Sequence, residues 1–264
     1  MFTKLLKIAL FVIIVTFLTL VTQVGGILFL VSILFFRETI RFKYLYQWVL
    51  FILLYLVSTF FIIPMIAIFF GRERITNSKN IAPTNFMTEL LNRNYVKPEL
   101  NIILQELAHK LPEGVELKYL DANFPFFNGF PLLPHLSHND GKKLDLSFIY
   151  EDKNGIVSNL KKSNSGYGIF EYTGGINQND ICKQNGYYQY DFPKYLTFGR
   201  INPDLVFSEK YNKILIESLL ESNKIEKIFI EPHLKARLYL TDSRIRFQGC
   251  RSVRHDDHIH VQIK

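Results

Sequence analysis

The sequence predicts an α+β fold: a small antiparallel sheet with flanking helices, preceded by two transmembrane helices. Three observations lead there. Residues 8–36 and 44–70 contain no charged side chain, and each run exceeds the roughly 20 apolar residues that a helix needs to cross a bilayer. Behind Phe70 the chain turns polar, and short alternating stretches mix with amphipathic ones. No repeat or low-complexity tract interrupts them.

The first apolar run is too long for a signal peptide, whose apolar region is about 7–15 residues and ends at a small-residue cleavage site. Gly25-Gly26 leaves open whether this run is one tilted helix or a helix plus a re-entrant piece. Basic residues flank both runs: Lys4 and Lys7 before the first, Arg37, Arg41 and Lys43 between them, Arg72 and Arg74 after the second. The middle connection is the most basic, so the positive-inside rule places it in the cytoplasm, with the amino terminus and the large domain both facing outward. Residues 1–70 are thus expected as an anchor that meets lipid through 8–36 and 44–70. Residues 71–98 open with the polar GRERITNSKNIAPTN and read as a linker, and residues 99–264 form the domain.

Within the domain, residues 98–111 place Leu100, Ile103, Leu104 and Leu107 on one helical face, and residues 115–120 alternate like a strand. LDLSFIY (144–150) alternates after the turn-like Asn139-Asp140-Gly141. Residues 151–204 are rich in Gly, Asn, Tyr and Lys, show little period and reveal no chemistry. A helix over 209–220 carries Ile214, Leu215 and Leu219; a strand follows at 225–230, a short helix from Pro232 to Leu238, and a last strand at 257–263. Net charge is +7, which favours an anionic partner such as lipid, wall polymer or nucleic acid. The basic residues are scattered without a recognition motif, which argues against nucleic acid. Cys182 and Cys250 can pair in an outward-facing domain or remain thiols in a cytosolic one.

Five of the seven histidines fall in two clusters, His135 and His138, then His255, His258 and His260. On LDLSFIY the apolar residues Leu144, Leu146 and Phe148 share one face, so Asp145 points to the other. On the last strand His258, His260 and Gln262 share a face opposite Ile259, Val261 and Ile263. Two histidines and an aspartate around one metal, with a fourth position left to water, is a catalytic zinc coordination.

These residues also resemble a known family. Pro134-His135-Leu136-Ser137-His138, then Gly141, Leu144 and Asp145, is similar to the first motif of the penicillin-insensitive murein endopeptidases. His255-Asp256-Asp257-His258-Ile259-His260-Val261 resembles their closing motif, and IEKIFIEPHLKARL (225–238) resembles the segment before it. The likeness covers roughly residues 112–264, while 151–204 does not match. It implies zinc held by His138, Asp145 and His260, with His258 facing the reacting water or oxyanion and His255 a second catalytic histidine. His135 lines the site by the same likeness, Ser137 lies in the motif beside it, and Asp256 and Asp257 either orient the imidazoles or, for Asp257, face away from the metal; the latter favours His255 as general base.

The activity so implied is hydrolysis of D-alanine-containing peptide cross-links of peptidoglycan, by a zinc peptidase on the outer (periplasmic or wall-facing) side of a bacterial cytoplasmic membrane. A D,D- or L,D-carboxypeptidase on stem peptides is the alternative within the same chemistry. A non-catalytic zinc domain that binds wall or a protein partner is the alternative outside it.

Overall fold

The structure is a computed structural model that describes residues 2–35, 42–171, 177–195, 197 and 199–264. Its front forms three helices rather than two. α1 (Phe2–Thr22) and α3 (Lys43–Phe70) are long and apolar enough to cross a membrane. Between them α2 (Gly25–Leu34) has only ten residues, a length of about 15 Å. The first apolar run is therefore a long helix plus a short returning one, and the chain reverses at Gln23, where φ is +68°. Glycine permits the close approach that follows. A Cβ on Gly26 would lie 2.0 Å from Thr19 Oγ1 and 2.6 Å from the Val15 carbonyl.

The packing fixes the helix directions. Phe29 on α2 meets Trp48 and Phe51 of α3, whereas Val24 near the turn packs against Ile63 and Ala67. Along α1, Gly25 lies beside Leu18 and Thr22, while Phe29 reaches back to Phe11. α2 thus runs antiparallel to both neighbours, and α1 and α3 point the same way. Lys4 and Lys7 consequently sit at the same end of the bundle as Lys43, which corrects the expectation that the amino terminus shares the domain's side. A third helix between the two long ones is what reverses it. Arg37 and Arg41, the other basic residues of that connection, lie outside the described residues. α3 widens into a π-helical turn over Ser58–Ile62, just ahead of Pro64, whose ring cannot donate to the helical ladder.

In chain order the strands are β1 (Glu73–Arg74), β2 (Ile81–Pro83), β3 (Tyr95–Val96), β4 (Leu117–Tyr119), β5 (Lys143–Ser147), β6 (Tyr150–Glu151), β7 (Val157–Ser158), β8 (Val206–Phe207), β9 (Ile225–Phe229), β10 (Ile245–Arg246) and β11 (His258–Ile263). The main sheet has six strands ordered β10-β9-β11-β5-β4-β2, while β1 pairs with β3 and β7-β6-β8 form a small third sheet. It is larger than expected and mixed. Its centre is antiparallel, but β10–β9 and β2–β4 at its two edges are parallel.

β2 comes from the segment expected as a linker. That segment also carries β1, β3 and the helix α4 (Phe86–Leu90), which Asn85 caps by accepting from the Met87 N–H. Residues 71–98 therefore belong to the domain. Each piece is too short to show a period, and Ile81 is the only residue of β2 to be buried.

α5 (Pro98–Lys110) lays Leu100, Ile103, Leu104 and Leu107 into the core. α6 (Gln178–Gln184) carries Cys182, which is disulfide-bonded to Cys250. α7 (Glu209–Leu220) adds Leu215, Ile216 and Leu219 and is capped by Ser208, and α8 (Pro232–Arg237) adds Leu234. α5, α7 and α8 meet Leu144, Leu146, Ile259 and Val261 of the central strands, all fully buried; each such side chain contributes about 1.5–3 kcal/mol. Burying this face leaves the alternate residues of β5 and β11 on the other, where the histidines lie.

The helical bundle is joined to the domain by specific contacts. Tyr55 Oη donates to the Leu90 carbonyl at 2.6 Å, and Asn92 Nδ2 reaches Tyr55 Oη and Thr59 Oγ1 at 3.4 Å. Just past α3, the buried Arg72 donates to Phe124 O, Asn128 Oδ1 and Asn139 O.

Candidate metal centre

β5 and β11 are neighbours, and their register sets His260 opposite Asp145, with Val261 opposite Leu144 and Ile259 opposite Leu146. The apolar pairs fill the core, so the polar pair must project together from the other face. His138 arrives from the loop ahead of β5, where a tight turn closes with its N–H on the His135 carbonyl at 2.9 Å.

The three side chains converge. His138 Nε2 lies 3.2 Å from Asp145 Oδ1 and 3.1 Å from His260 Nδ1, and the last two atoms are 2.8 Å apart. His138 Nδ1 is 2.6 Å from the Ala122 carbonyl. A carbonyl only accepts, so Nδ1 carries a proton, and the other ring nitrogen, Nε2, faces the carboxylate oxygen. Burial lowers the His260 pKa to about 4, against the opposing pull of Asp145. Burial would raise Asp145, but the surrounding histidines His138, His258 and His135 hold it well below the usual carboxylate range. Two imidazoles and one carboxylate thus converge on a dry point, and such a group can hold a metal ion.

His135, Asp145 and His258 form a second group that shares the same aspartate. It is looser, since His135 Nδ1 is 3.3 Å and His258 Nε2 3.7 Å from Asp145 Oδ2. That oxygen already accepts from Tyr167 Oη at 2.8 Å. The Oδ1 side is the better ligand set.

Around it the other expected residues sort themselves. His258 Nδ1 lies 2.5 Å from Asp257 Oδ1, and Asp257 Oδ2 accepts from the Gly168 N–H at 2.6 Å. The strand begins only at His258, so Asp257 does not face away; its carboxylate turns onto the neighbouring ring. Burial opposes a charge on His258, but Asp145 and Asp257 outweigh it and raise the pKa to about 9. His258 Nε2 has no hydrogen-bond partner, with Asp145 Oδ2 standing 3.7 Å away.

His255 is also buried, with Nδ1 unpartnered and its ring 4.9 Å from that of His258 and 5.7 Å from that of His260. Burial, reinforced by those two rings, holds its pKa well below the ordinary value. His135 packs at a tilt against Tyr167, ring centroids 4.9 Å apart, and burial holds its pKa down in the same way. Asp256 turns elsewhere, taking both Nε and Nη2 of Arg254 at 2.9 and 2.5 Å and lying 3.7 Å from His233 Nε2. Ser137 is exposed on the His135–His138 turn and its carbonyl accepts from the Asn139 N–H.

Four side chains around these residues escaped the sequence reading. Tyr167 donates to Asp145 and accepts from the Asp121 N–H at 3.1 Å. Arg93 donates to Asp121 Oδ2 at 2.8 Å, and that carboxylate lies 3.8 Å from His135 Nε2. Glu231 Oε1 accepts from the His255 N–H and from Gln189 Nε2.

Tyr167 did leave a signal. It stands between Gly166 and Gly168, both at positive φ (+88° and +79°), where a Cβ would meet Leu120 Cδ2 at 2.4 Å and Thr197 Cγ2 at 2.3 Å. Only glycine lets the chain pass this close on both sides of the ring. A cavity of about 410 Å³ opens beside this ring, with Met87, Leu91, Asp121 and His135 also in its wall.

No protein-family model matches the chain, and no curated protein matches it.

Proposed function

We propose that this chain is a membrane-anchored zinc peptidase that cleaves D-alanine-containing peptide cross-links of peptidoglycan. The observation that carries a hydrolytic reading is the pair of buried, unpartnered ring nitrogens, His255 Nδ1 and His258 Nε2, beside a nitrogen–oxygen–nitrogen ligand set. A site that only bound metal would have no use for them, since each unsatisfied buried nitrogen costs about 1–3 kcal/mol. The resemblance of His135–Asp145 and His255–Val261 to the murein endopeptidase motifs supports the substrate class.

His138, Asp145 and His260 would hold the ion, and their donor types suit zinc. Tetrahedral zinc with bonds of about 2.0–2.2 Å needs ligand atoms about 3.3–3.6 Å apart; the observed 2.8–3.2 Å is shorter, so the three atoms spread by a few tenths of an ångström to take the ion. When bound, zinc supplies Lewis acidity, polarising the scissile carbonyl and making water acidic.

The protein's own groups do the rest. His255, neutral in its dry setting, is placed to take a proton from the attacking water and to return it to the leaving amine. His258, held protonated by Asp145 and Asp257, directs Nε2–H at the oxyanion of the tetrahedral state. Tyr167 fixes the Asp145 carboxylate so that Oδ1 stays on the metal side.

Lys4, Lys7 and Lys43 at one end of the bundle support a cytoplasmic position for that end and an outward position for the domain. The disulfide fits an oxidising compartment. The test is product mass from the full-length, zinc-loaded protein with defined cross-linked muropeptide dimers and with monomeric stems. Conversion of dimers to monomers is expected. Release of alanine alone would replace the endopeptidase by the carboxypeptidase, and turnover of neither would leave a binding domain.

A further inference from the structure

The cavity beside the metal centre and the membrane helices share an element, α4. Met87, Thr88 and Leu91, on or just past this helix, line the cavity. The same helix docks onto α3: Phe86 stacks on Phe60 with ring centroids 6.0 Å apart, the Leu90 carbonyl takes the Tyr55 hydroxyl, and Leu90 packs into the Phe29–Phe51–Tyr55 cluster.

Height along α3 then fixes the height of the cavity mouth. At about 1.5 Å per residue, Tyr55 and Phe60 stand roughly 18 and 26 Å above Lys43. The hydrocarbon core is about 30 Å thick. With Lys43 at one boundary, the contacts of α4 lie inside the opposite leaflet, about 4–12 Å short of its outer hydrocarbon edge. Its composition agrees, because Phe86 and Met87 remain 57% and 51% exposed, while Arg74 and Glu89 pair at 3.3 Å with the Arg74 guanidinium 5.5 Å over Phe60. Aromatic rings with a charged pair beside them are the chemistry of a headgroup boundary.

We propose that α4 lies within the leaflet on the domain's side, close below its headgroups, and that the cavity takes a peptide amide carried on a membrane lipid. The wall on the lipid side is Met87, next to the exposed Phe86, and the inner end, at Tyr167 and His135, adjoins Asp145. The depth of α4 rests on α1 and α3 spanning a membrane, and the substrate class also on the hydrolytic reading above. The docking is rigid enough to hold that height, since Asn92 bonds α3 while the next residue, Arg93, bonds Asp121 at the site.

The chain's two cysteines are joined to each other and none is free, so single introduced cysteines can carry nitroxide labels. Full-length Phe86→Cys and Met87→Cys are reconstituted in phosphatidylethanolamine–phosphatidylglycerol vesicles, with Ile13→Cys as the span control and Lys153→Cys as the water control. Collision with oxygen and with a water-soluble nickel chelate reads depth. Labels at 86 and 87 are expected to favour oxygen, as the label at 13 does, and the label at 153 to favour nickel. Nickel access at 86 and 87 equal to that at 153, with 13 still in lipid, overturns the proposal and leaves the anchor standing. Nickel access at 13 removes the anchor and the proposal together.

The substrate half is read by giving the zinc-loaded vesicles one stem peptide on a diacyl or polyprenyl lipid and the same peptide freed of lipid. Confinement to the surface is expected to raise turnover of the lipid-borne form at least about tenfold at equal bulk concentration. Equal rates overturn the lipid-borne substrate. Hydrolysis of neither peptide overturns the hydrolase reading and the substrate class with it, while the labels still decide the depth of α4.

Discussion

Asp145 is held on one oxygen by Tyr167 and offers the other to the ligand set, so small changes beside it separate binding from turnover. Tyr167→Phe removes the hydroxyl and leaves both Asp145 Oδ2 and the Asp121 N–H short of a partner, at a cost of about 1–3 kcal/mol. Isothermal titration should show zinc affinity reduced about 10–100-fold.

Asp257→Asn should behave differently. It keeps the ligand set, so metal content by mass spectrometry is unchanged, while hydrolysis falls about 10–100-fold because His258 loses one of its anions. Unchanged hydrolysis would return Asp257 to the away-facing role that strand alternation suggested. That alternation was legible where the strand exists: His258, His260 and Asp145 stand where period two put them. It failed one residue earlier, where no strand is formed. Ser137 shows the other limit, since neighbouring a ligand in sequence does not bring a side chain to the site.

At the scale of elements, what the sequence revealed depended on length. Helix 209–220 and the strands near 144 and 258 carry enough buried residues to show a period, and they appear where the pattern placed them. β2, with one buried residue, and the 151–204 segment, whose packing rests on glycine geometry around Tyr167, do not. Two element-level consequences are measurable. Replacing Cys182 and Cys250 by alanine frees a 68-residue separation and should lower unfolding stability by about 2–4 kcal/mol, read by urea titration in detergent.

Glu231, at the start of α8, supplies a pH dependence. Burial and then Asp256 raise its pKa from 4.5 to about 7, so the folded state favours the protonated form. Below about pH 4.5 both states are protonated and stability is complete; it is lost as pH rises through about 7, by up to about 3 kcal/mol. Glu231→Gln should flatten the urea midpoint between pH 5 and pH 8 relative to wild type. An equally steep slope in the variant would assign the effect to other groups.

For the whole molecule, the apolar runs announced membrane-length helices, but not the short α2 that reverses the direction of α1. Glycines at 25 and 26 were its only trace, and their role appears once Thr19 and Val15 are seen against them. The helix directions place Lys4 on the side opposite the domain. In intact cells, a membrane-impermeant maleimide should therefore label Lys153→Cys and spare Lys4→Cys; the reverse pattern would invert the topology. The docking of α3 on Leu90 and Asn92 also means that the site should be studied in the complete chain. The most direct test of the central claim strips metal from the purified full-length protein and adds zinc back in steps, following bound metal and cleavage of cross-linked muropeptide in the same samples. Cleavage that vanishes on chelation, returns in proportion to zinc up to one equivalent and is absent in His260→Ala is the predicted result. One equivalent of zinc bound through His260 with no cleavage, or cleavage indifferent to chelation, would contradict it.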